Sequence, residues 1–189
     1  MSDFQTIADR VEIGALRGEF TDAVMMRDYD RLASLFTLDG ALRMPNIPVE
    51  LLGQEEIRAW GRRVPDLVEF LVQNTHPGTI ALDGDTASGR AYMSELGRTR
   101  DGRQGLNYAI YHDRYQRTGD GWKFSERVYE VRYEDTTPLA GSPPAQPWRL
   151  LTLRPGTRPR RKDDGDHPRT AFPAPGIPIR AIHSMPSGS

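Results

Sequence analysis

The first third of the chain shows the apolar periodicity of α-helices. Apolar side chains recur at three- and four-residue steps from residue 4 to residue 24, which predicts one long amphipathic helix. A shorter apolar stripe predicts a second helix over residues 28–36. A brief strand at residues 41–44 and a third helix that begins at residue 54 follow. The pattern therefore predicts a largely helical N-terminal region.

Further along, the pattern changes to that of extended strands. Two extended runs in residues 74–95 flank Asp83-Gly84-Asp85, whose residues tolerate the positive φ of a tight turn. This stretch predicts a β-hairpin that closes on either Asp83-Gly84 or Gly84-Asp85. Residues 106–118 and 122–133 predict two more long strands. Helices followed by an antiparallel meander predict an α+β fold in which a curved sheet wraps around the helices.

One imidazole and one carboxylate share an otherwise apolar face of the predicted hairpin. Strand side chains alternate between faces, which places His76 and Glu95 on the same side. With a loop at Gly84-Asp85, His76 lies opposite Met93 and diagonal to Glu95, at roughly 7 to 8 Å between backbones. Imidazole has an unperturbed pKa of about 6.5 and can act as a base at neutral pH. His76 is the candidate base of a pocket site, with a histidine bonded to a backbone carbonyl as the alternative.

The register of the last two strands leaves two environments open for Asp113. If the turn pairs Arg117 with Trp122, Asp113 faces Glu126, and one of the two carboxyl pKa values rises. A slip of one residue instead places Asp113 opposite Arg127 in a salt bridge. We favour the ion pair.

Other polar residues of these strands are candidates for substrate contact. Tyr111 shares a face with Asp113 and can donate a hydrogen bond to a developing oxyanion, with packing in the sheet as its alternative role. Asn107 and Arg132 lie near strand ends, where contact with a substrate and an ordinary surface role are both open. His112 points to the opposite face, so it is not part of the predicted site.

Composition narrows the classes of function. The chain has no cysteine, which excludes disulfides, thiolate zinc sites and cysteine nucleophiles. No pair of histidines has the spacing of metal ligands, so we predict no metal. The N-terminus lacks an apolar signal region, and no run approaches the roughly 18 apolar residues of a membrane span. We therefore predict a soluble cytoplasmic protein that does not bind membranes.

The C-terminal part of the chain has a different composition. Residues 141–189 contain ten of the fifteen prolines, and their eight basic and three acidic residues give a charge of +5. We predict a domain over residues 1–140 and an extended or partly disordered extension over residues 141–189. The domain has 17 basic and 23 acidic residues, a charge of −6, which disfavours binding to nucleic acid.

Five segments in order resemble those of a known family. They read R-D-Y-D-R-L-A-S-L-F (27–36), G-Q-E-E-I (53–57), T-I-A-L-D-G-D-T-A-S-G-R-A-Y (79–92), Y-H-D-R-Y-Q-R-T-G-D-G-W-K-F (111–124) and T-P-L-A-G (137–141). The chain resembles the SnoaL-like branch of the nuclear transport factor 2 superfamily over about residues 4–140. The resemblance implies a cone-like curved sheet with a deep apolar pocket. It also points to the lyases scytalone dehydratase, bile-acid 7α-dehydratase and hexachlorocyclohexane dehydrochlorinase, which use no cofactor.

The resemblance implies roles for particular positions. T-H-P-G-T resembles the segment that carries the catalytic base of these lyases, which maps that role onto His76. Glu95 falls at the position of a catalytic carboxylate in the bile-acid dehydratase. The aspartate that holds the histidine is replaced by Met25, and a tyrosine one turn earlier by Phe20. Met44 stands where ketosteroid isomerase has its general base, so steroid isomerisation by that mechanism is not expected.

These features predict a cofactor-independent lyase or isomerase, namely a dehydratase or cyclase that acts on a hydrophobic polycyclic or polyketide-like molecule. The resemblance also implies a homo-oligomer, with a trimer favoured over a dimer. The predicted catalytic residues are His76, Glu95, Asp113 and Tyr111, and the predicted substrate-binding residues are Phe20, Met25, Met44, Met93, Asn107 and Arg132. The alternative is a non-catalytic protein of the same fold that binds a small molecule or mediates assembly, which the apolar residues at positions 20, 25 and 44 favour.

Overall fold

The computed structural model describes residues 3–143, so most of the predicted C-terminal extension lies outside the described residues. Three helices and six strands make up this part of the chain. The helices are α1 (Asp3–Met26), α2 (Tyr29–Ser34) and α3 (Gly53–Leu67). The strands are β1 (Phe36–Met44), β2 (Val49–Leu52), β3 (Val68–Asp83), β4 (Thr86–Thr99), β5 (Gln104–Thr118) and β6 (Gly121–Asp135).

The six strands form one curved, unclosed sheet in the order β2-β1-β6-β5-β4-β3. All neighbouring pairs are antiparallel except β1 and β6, which are parallel. The connection between these two strands contains strand β2, helix α3 and the long strands β3 to β5. The predicted α+β fold, with a curved antiparallel sheet on N-terminal helices, is confirmed.

Helix α1 supplies the centre of the core on the concave side of the sheet. Its buried residues Ile13, Leu16, Phe20 and Ala23 recur at helical spacing and form one face. The Phe20 ring makes edge contacts with Tyr111 of β5 at 5.7 Å and with Phe124 of β6 at 5.8 Å between ring centroids. Burial of a large apolar side chain contributes about 1.5 to 3 kcal/mol, so this face holds α1 on the sheet.

The turn between β3 and β4 has the predicted two-residue form. Asp83 pairs with Thr86, which leaves Gly84 and Asp85 as the loop. Gly84 has a φ of 58°, a conformation that glycine adopts without a steric cost. Of the two loops that the sequence allowed, the structure therefore selects Gly84-Asp85.

The length and the composition of a helix decide whether it can span a membrane. No helix among residues 3–143 combines the length and the apolar character that crossing a bilayer requires.

Candidate functional site

A row of polar side chains crosses the concave face of the sheet beneath α1. Gln73 of β3 lies opposite Glu95 of β4, which in turn lies opposite Asn107 of β5. Directly opposite residues of adjacent strands share a face, so the three side chains are neighbours. Tyr111 lies four residues after Asn107 and therefore projects to the same side. The register brings one carboxyl, two amides and a phenol together.

The Gln73 amide links the members of this row. Its Nε2 atom donates hydrogen bonds to Glu95 Oε2 and to Tyr111 Oη, both at 3.0 Å. Gln73 is 6% exposed and Tyr111 is 4% exposed. Because both are buried, the amide holds the carboxyl and the phenol in fixed relative positions.

Glu95 is the titratable centre of the site. Burial raises the pKa of its carboxyl group, and hydrogen bonding to the amides of Gln73 and Asn107 offsets part of the rise. No arginine, lysine or histidine within residues 4–143 forms an ion pair with Glu95. A carboxyl group that has neutral neighbours and a raised pKa can hold or release a proton closer to neutral pH than an exposed glutamate can.

Two amide oxygen atoms of the polar row lack a hydrogen-bond partner within the described part of the chain. They are Gln73 Oε1 and Asn107 Oδ1, and both are buried. Buried polar atoms in proteins are almost always paired, so each unpaired atom calls for an explanation. The amide oxygens of both side chains are therefore unused hydrogen-bond acceptors beside Glu95.

Two phenols border the carboxyl group. Burial raises the pKa values of Tyr111 and Tyr129, so both hydroxyls keep their protons at physiological pH. Their ring centroids are 5.6 Å apart. The sequence predicted Tyr111, whereas Tyr129 was not among the predicted site residues.

His76 does not lie on this face, and its predicted register is wrong. Thr75 lies opposite Met93, whereas His76 pairs with Tyr92, and both His76 and Tyr92 are exposed on the convex side of the sheet. Although Glu95 is on the concave face as predicted, His76 does not share that face with it.

A β-bulge between His76 and Thr79 causes this difference. Pro77 has no N–H group to donate to the ladder. Gly78 lies so close to β4 that an added Cβ atom would collide with the carbonyl oxygen of Arg90. The bulge adds one residue to β3, and a shift of one residue exchanges the two faces of a strand. Pro77-Gly78 is the signal in the sequence that could have indicated this irregularity.

Met25, which stands where the resemblance implied an aspartate, contacts the backbone of β3 at Gln73. The Met25 sulfur lies 3.1 Å from the backbone nitrogen of Gln73, which donates to it. The thioether of Met25 therefore lies beside Gln73, three residues before His76 in the sequence. Neither side chain can act as a base at neutral pH.

Asp113 forms the buried ion pair that we favoured. Its carboxylate accepts hydrogen bonds from Nε and Nη2 of Arg127, both at 2.8 Å, and one from the Tyr115 hydroxyl at 2.6 Å. Arg117 pairs with Trp122, but a bulge after Arg114 shifts the register, so that Asp113 lies opposite Arg127. Of the two environments that the sequence left open, Asp113 therefore has the ion pair with Arg127, and Glu126 lies opposite Arg114.

The guanidinium of Arg127 is enclosed by aromatic rings. Its Cζ atom is 4.0 Å from the ring centroid of Tyr111, 4.1 Å from that of Phe124 and 4.3 Å from that of Phe20. A cation over aromatic faces is attracted by their quadrupoles. Through this stacking, the Asp113–Arg127 pair supports the ring of Tyr111.

The remaining predicted residues divide between the two sides of the sheet. Phe20 and Met93 are buried, and Met44 packs against the core. Arg132 is exposed and forms an ion pair with Glu130 at 2.8 Å, so the structure does not bring it to the concave site. His112 lies on the convex face, as predicted, with its Nε2 atom 2.6 Å from Glu130.

The convex face also has a groove of about 450 Å³. Arg90, His112 and Arg114 are among the residues that line it. These side chains lie on the opposite side of the sheet from Glu95, so the groove is separate from the concave site.

Comparisons with known proteins agree with this fold. A family model described as a SnoaL-like domain matches residues 5–128. An uncharacterized protein of Mycobacterium tuberculosis is 30% identical over 129 residues, which cover 65% of this chain and 84% of that protein. A scytalone dehydratase-like structure from Novosphingobium aromaticivorans has a TM-score of 0.63 and covers 77% of this chain and 97% of that chain, and at 18% identity it shows the fold alone.

Two solved structures of dehydrochlorinases are more similar in sequence. The structure of LinA is 28% identical with a TM-score of 0.68 and covers 78% of this chain and 100% of that chain. The hexachlorocyclohexane dehydrochlorinase LinA-type3 of Novosphingobium barchaimii LL02 is 25% identical with a TM-score of 0.67 and covers 77% of this chain and 100% of that chain. The chain belongs to the SnoaL-like domain family and has the nuclear transport factor 2-like fold.

Proposed function

We propose that the protein is a cofactor-independent lyase or isomerase in which Glu95 transfers protons to and from a small molecule on the concave face. The observation that carries the proposal is the environment of Glu95. Burial raises the pKa of its carboxyl group, and its hydrogen-bonding neighbours are neutral amides. Such groups are typical of general acid-base catalysts.

The family supports a reaction of this class. The comparison structures include hexachlorocyclohexane dehydrochlorinases, which by name remove hydrogen and a leaving group from a carbon framework. In the present chain His76 is exposed on the convex face, and Met25 stands where the resemblance implied an aspartate. Glu95 is therefore the group to which the proposal assigns proton transfer.

Dehydration of an alcohol shows how one carboxyl group can complete such a reaction. Protonated Glu95 gives its proton to the leaving hydroxyl as the C–O bond breaks and water departs. The resulting carboxylate then takes the proton from the neighbouring carbon, whose C–H electron pair forms the C=C bond. Glu95 ends in its starting state, so the cycle needs no second base or external reactant.

The surroundings of Glu95 fit a small molecule that is largely apolar but carries hydroxyl or carbonyl groups. Gln73 Oε1 and Asn107 Oδ1 can accept hydrogen bonds from substrate hydroxyls. The protonated Tyr111 and Tyr129 can donate hydrogen bonds to substrate oxygen atoms. Apolar contact is available from neighbours such as Met93, in line with a polycyclic or polyketide-like substrate.

A non-catalytic binding protein is the second candidate. Its support is that no histidine–aspartate pair lies on the concave face of the described chain, since His76 lies on the convex face and Met25 stands in place of the aspartate. In this case the same polar row would bind a ligand through hydrogen bonds, and Glu95 would act as a neutral donor.

The two candidates differ in their response to Glu95→Gln. We would screen hydroxylated cyclic ketones for binding by thermal shift and for elimination by the absorbance of the conjugated product. Acid-base catalysis by one group typically contributes about 10² to 10⁴ in rate, so Glu95→Gln should lower kcat at least a hundredfold while binding persists. His76→Ala is the matched control, because an exposed residue on the convex face should change neither quantity.

Binding without turnover by the wild-type protein would favour the second candidate. A Glu95→Gln variant that retains full turnover would contradict the first.

A further inference from the structure

The outward face of α1 is apolar and uncharged along about four turns. Its residues are spaced three and four apart, and all are exposed, with Phe4 at 86%, Ile7 at 59% and Val11 at 65%. The full set is Phe4, Ile7, Ala8, Val11, Gly14, Ala15 and Gly18. A surface helix normally presents charged and polar residues on this side.

The apolar residues of α1 therefore form two faces of the helix and not one. Residues such as Ile13 and Phe20 face the sheet and are buried. The set that begins with Phe4 lies on the opposite side, where it remains exposed among the described residues. A contiguous exposed apolar surface commonly marks a site of protein association.

Two glycines on this face are not required by the packing of the chain itself. A Cβ atom added to Gly14 or to Gly18 would meet nothing within 4 Å. Glycine in a helix interior costs about 1 kcal/mol relative to alanine. A backbone that is bare at two positions one turn apart permits the close approach of another helix.

The order of bulky and small residues makes the face complementary to a reversed copy of itself. Phe4, Ile7 and Val11 lie toward the N-terminus, and Gly14 and Gly18 lie toward the C-terminus. In an antiparallel pair centred on Val11, Phe4 lies over Gly18 of the partner subunit, and Ala8 lies over Gly14 of the partner subunit. The same contacts recur in reverse, which is the property of a twofold interface.

We propose that two copies of this chain associate through antiparallel contact of their α1 helices. The glycines allow the helix axes to approach at or below the usual 8 to 10 Å. Arg10, at the edge of the face, donates to the carbonyl oxygen of Ile80 at 2.8 Å and so remains directed to its own chain. The contact joins two copies, whereas the family resemblance favoured a trimer.

A lipid surface fits the face less well. Helices that lie on membranes carry lysine and arginine beside their apolar face. Here Glu12 and Glu19 lie beside it, and they would be repelled by anionic lipid.

The test is the mass of the full chain by light scattering after gel filtration, with the dissociation constant from sedimentation equilibrium. The wild type should have twice the monomer mass of 21.3 kDa. Gly18→Gln should raise the dissociation constant at least tenfold, because its side chain occupies the place of Phe4 of the partner subunit. Glutamine favours helix, so Tm at low concentration should not fall. Phe4→Ala removes the ring that lies over Gly18 of the partner subunit, so it should also weaken association.

Gly119→Gln is the matched control, because Gly119 also has open space but lies in the turn between β5 and β6. It should leave the dissociation constant unchanged. A wild type that stays monomeric up to about 0.5 mM would overturn the proposal. An oligomer of any size that both Gly18→Gln and Phe4→Ala leave intact would also overturn it, because such an oligomer would be held by another surface, for example the convex face around Tyr92.

Discussion

Asp113 and Arg127 form a bidentate ion pair in which neither side chain is exposed to solvent. The pair lies beneath the polar row on the concave face, where Arg127 stacks on the ring of Tyr111. It thus connects the stability of the core to the geometry around Glu95.

Removal of one partner of this pair should strongly destabilise the fold. Asp113→Asn leaves the Arg127 guanidinium buried without a counter-charge, and such changes typically cost about 3 to 5 kcal/mol. Urea denaturation followed by circular dichroism measures the free energy of unfolding. Arg114→Gln is a control, since that exposed arginine has a side chain that is 75% accessible to solvent. A cost below about 1 kcal/mol for Asp113→Asn would show that water or another anion compensates the charge of Arg127.

Asp9 should make the stability depend on pH at the acidic end. Hydrogen bonding from Arg117 lowers the pKa of Asp9 from 3.8 to about 2. Because the folded-state pKa is the lower one, the contribution is complete above about pH 4 and is lost as pH falls toward 2. The difference in the free energy of unfolding between wild type and Asp9→Asn should therefore be present at pH 6 and shrink toward pH 2. A difference that is constant with pH would contradict this assignment.

Glu95 should have the opposite effect. Burial raises the pKa of its carboxyl group, so ionisation opposes folding. Stability should therefore fall as pH rises from the unfolded-state pKa of about 4.5 through the folded-state value. Titration of the carboxyl carbon by NMR gives that value directly. Gln73→Leu removes a hydrogen bond that favours the ionised form and should raise the pKa of Glu95 further, whereas His76→Ala should not change it.

Gly78 should not tolerate a side chain. A Cβ atom there would collide with the carbonyl oxygen of Arg90, so Gly78→Ala must move the β3 backbone. We expect Tm to fall by several degrees, in keeping with a loss on the order of 1 to 3 kcal/mol. Gly119→Ala, where nothing lies within 4 Å, provides the control. Equal Tm values for the two variants would mean that the bulge adjusts without cost.

The order of helices and long strands could be predicted from the sequence because each has a distinct apolar period. The turn at Gly84-Asp85 followed from the chemistry of its residues. Glu95 and Tyr111 lie on the face that regular alternation along their strands predicted, whereas the sequence assigned no face to Asn107.

The failures arise where the ladder is irregular. His76 was placed on the wrong face because the bulge at Pro77 and Gly78 adds a residue that periodicity alone does not reveal. For the same reason, Gln73 was not among the predicted site residues. The register of Asp113 also depends on a bulge, and there the sequence left two alternatives that only charge pairing could rank.

The bulge in β3 determines which residues of this strand face inward. A regular ladder from the same turn would face Asn74 and His76 inward, whereas the bulged strand faces Gln73 and Thr75 inward. One strand thus encodes two alternative sets of residues for the concave face, one with an ionisable imidazole and one without. Loss of the bulge at Gly78, far from the Glu95 carboxyl group, would turn His76 inward in place of Gln73 and Thr75. The concave face would then gain an imidazole without any substitution of a site residue.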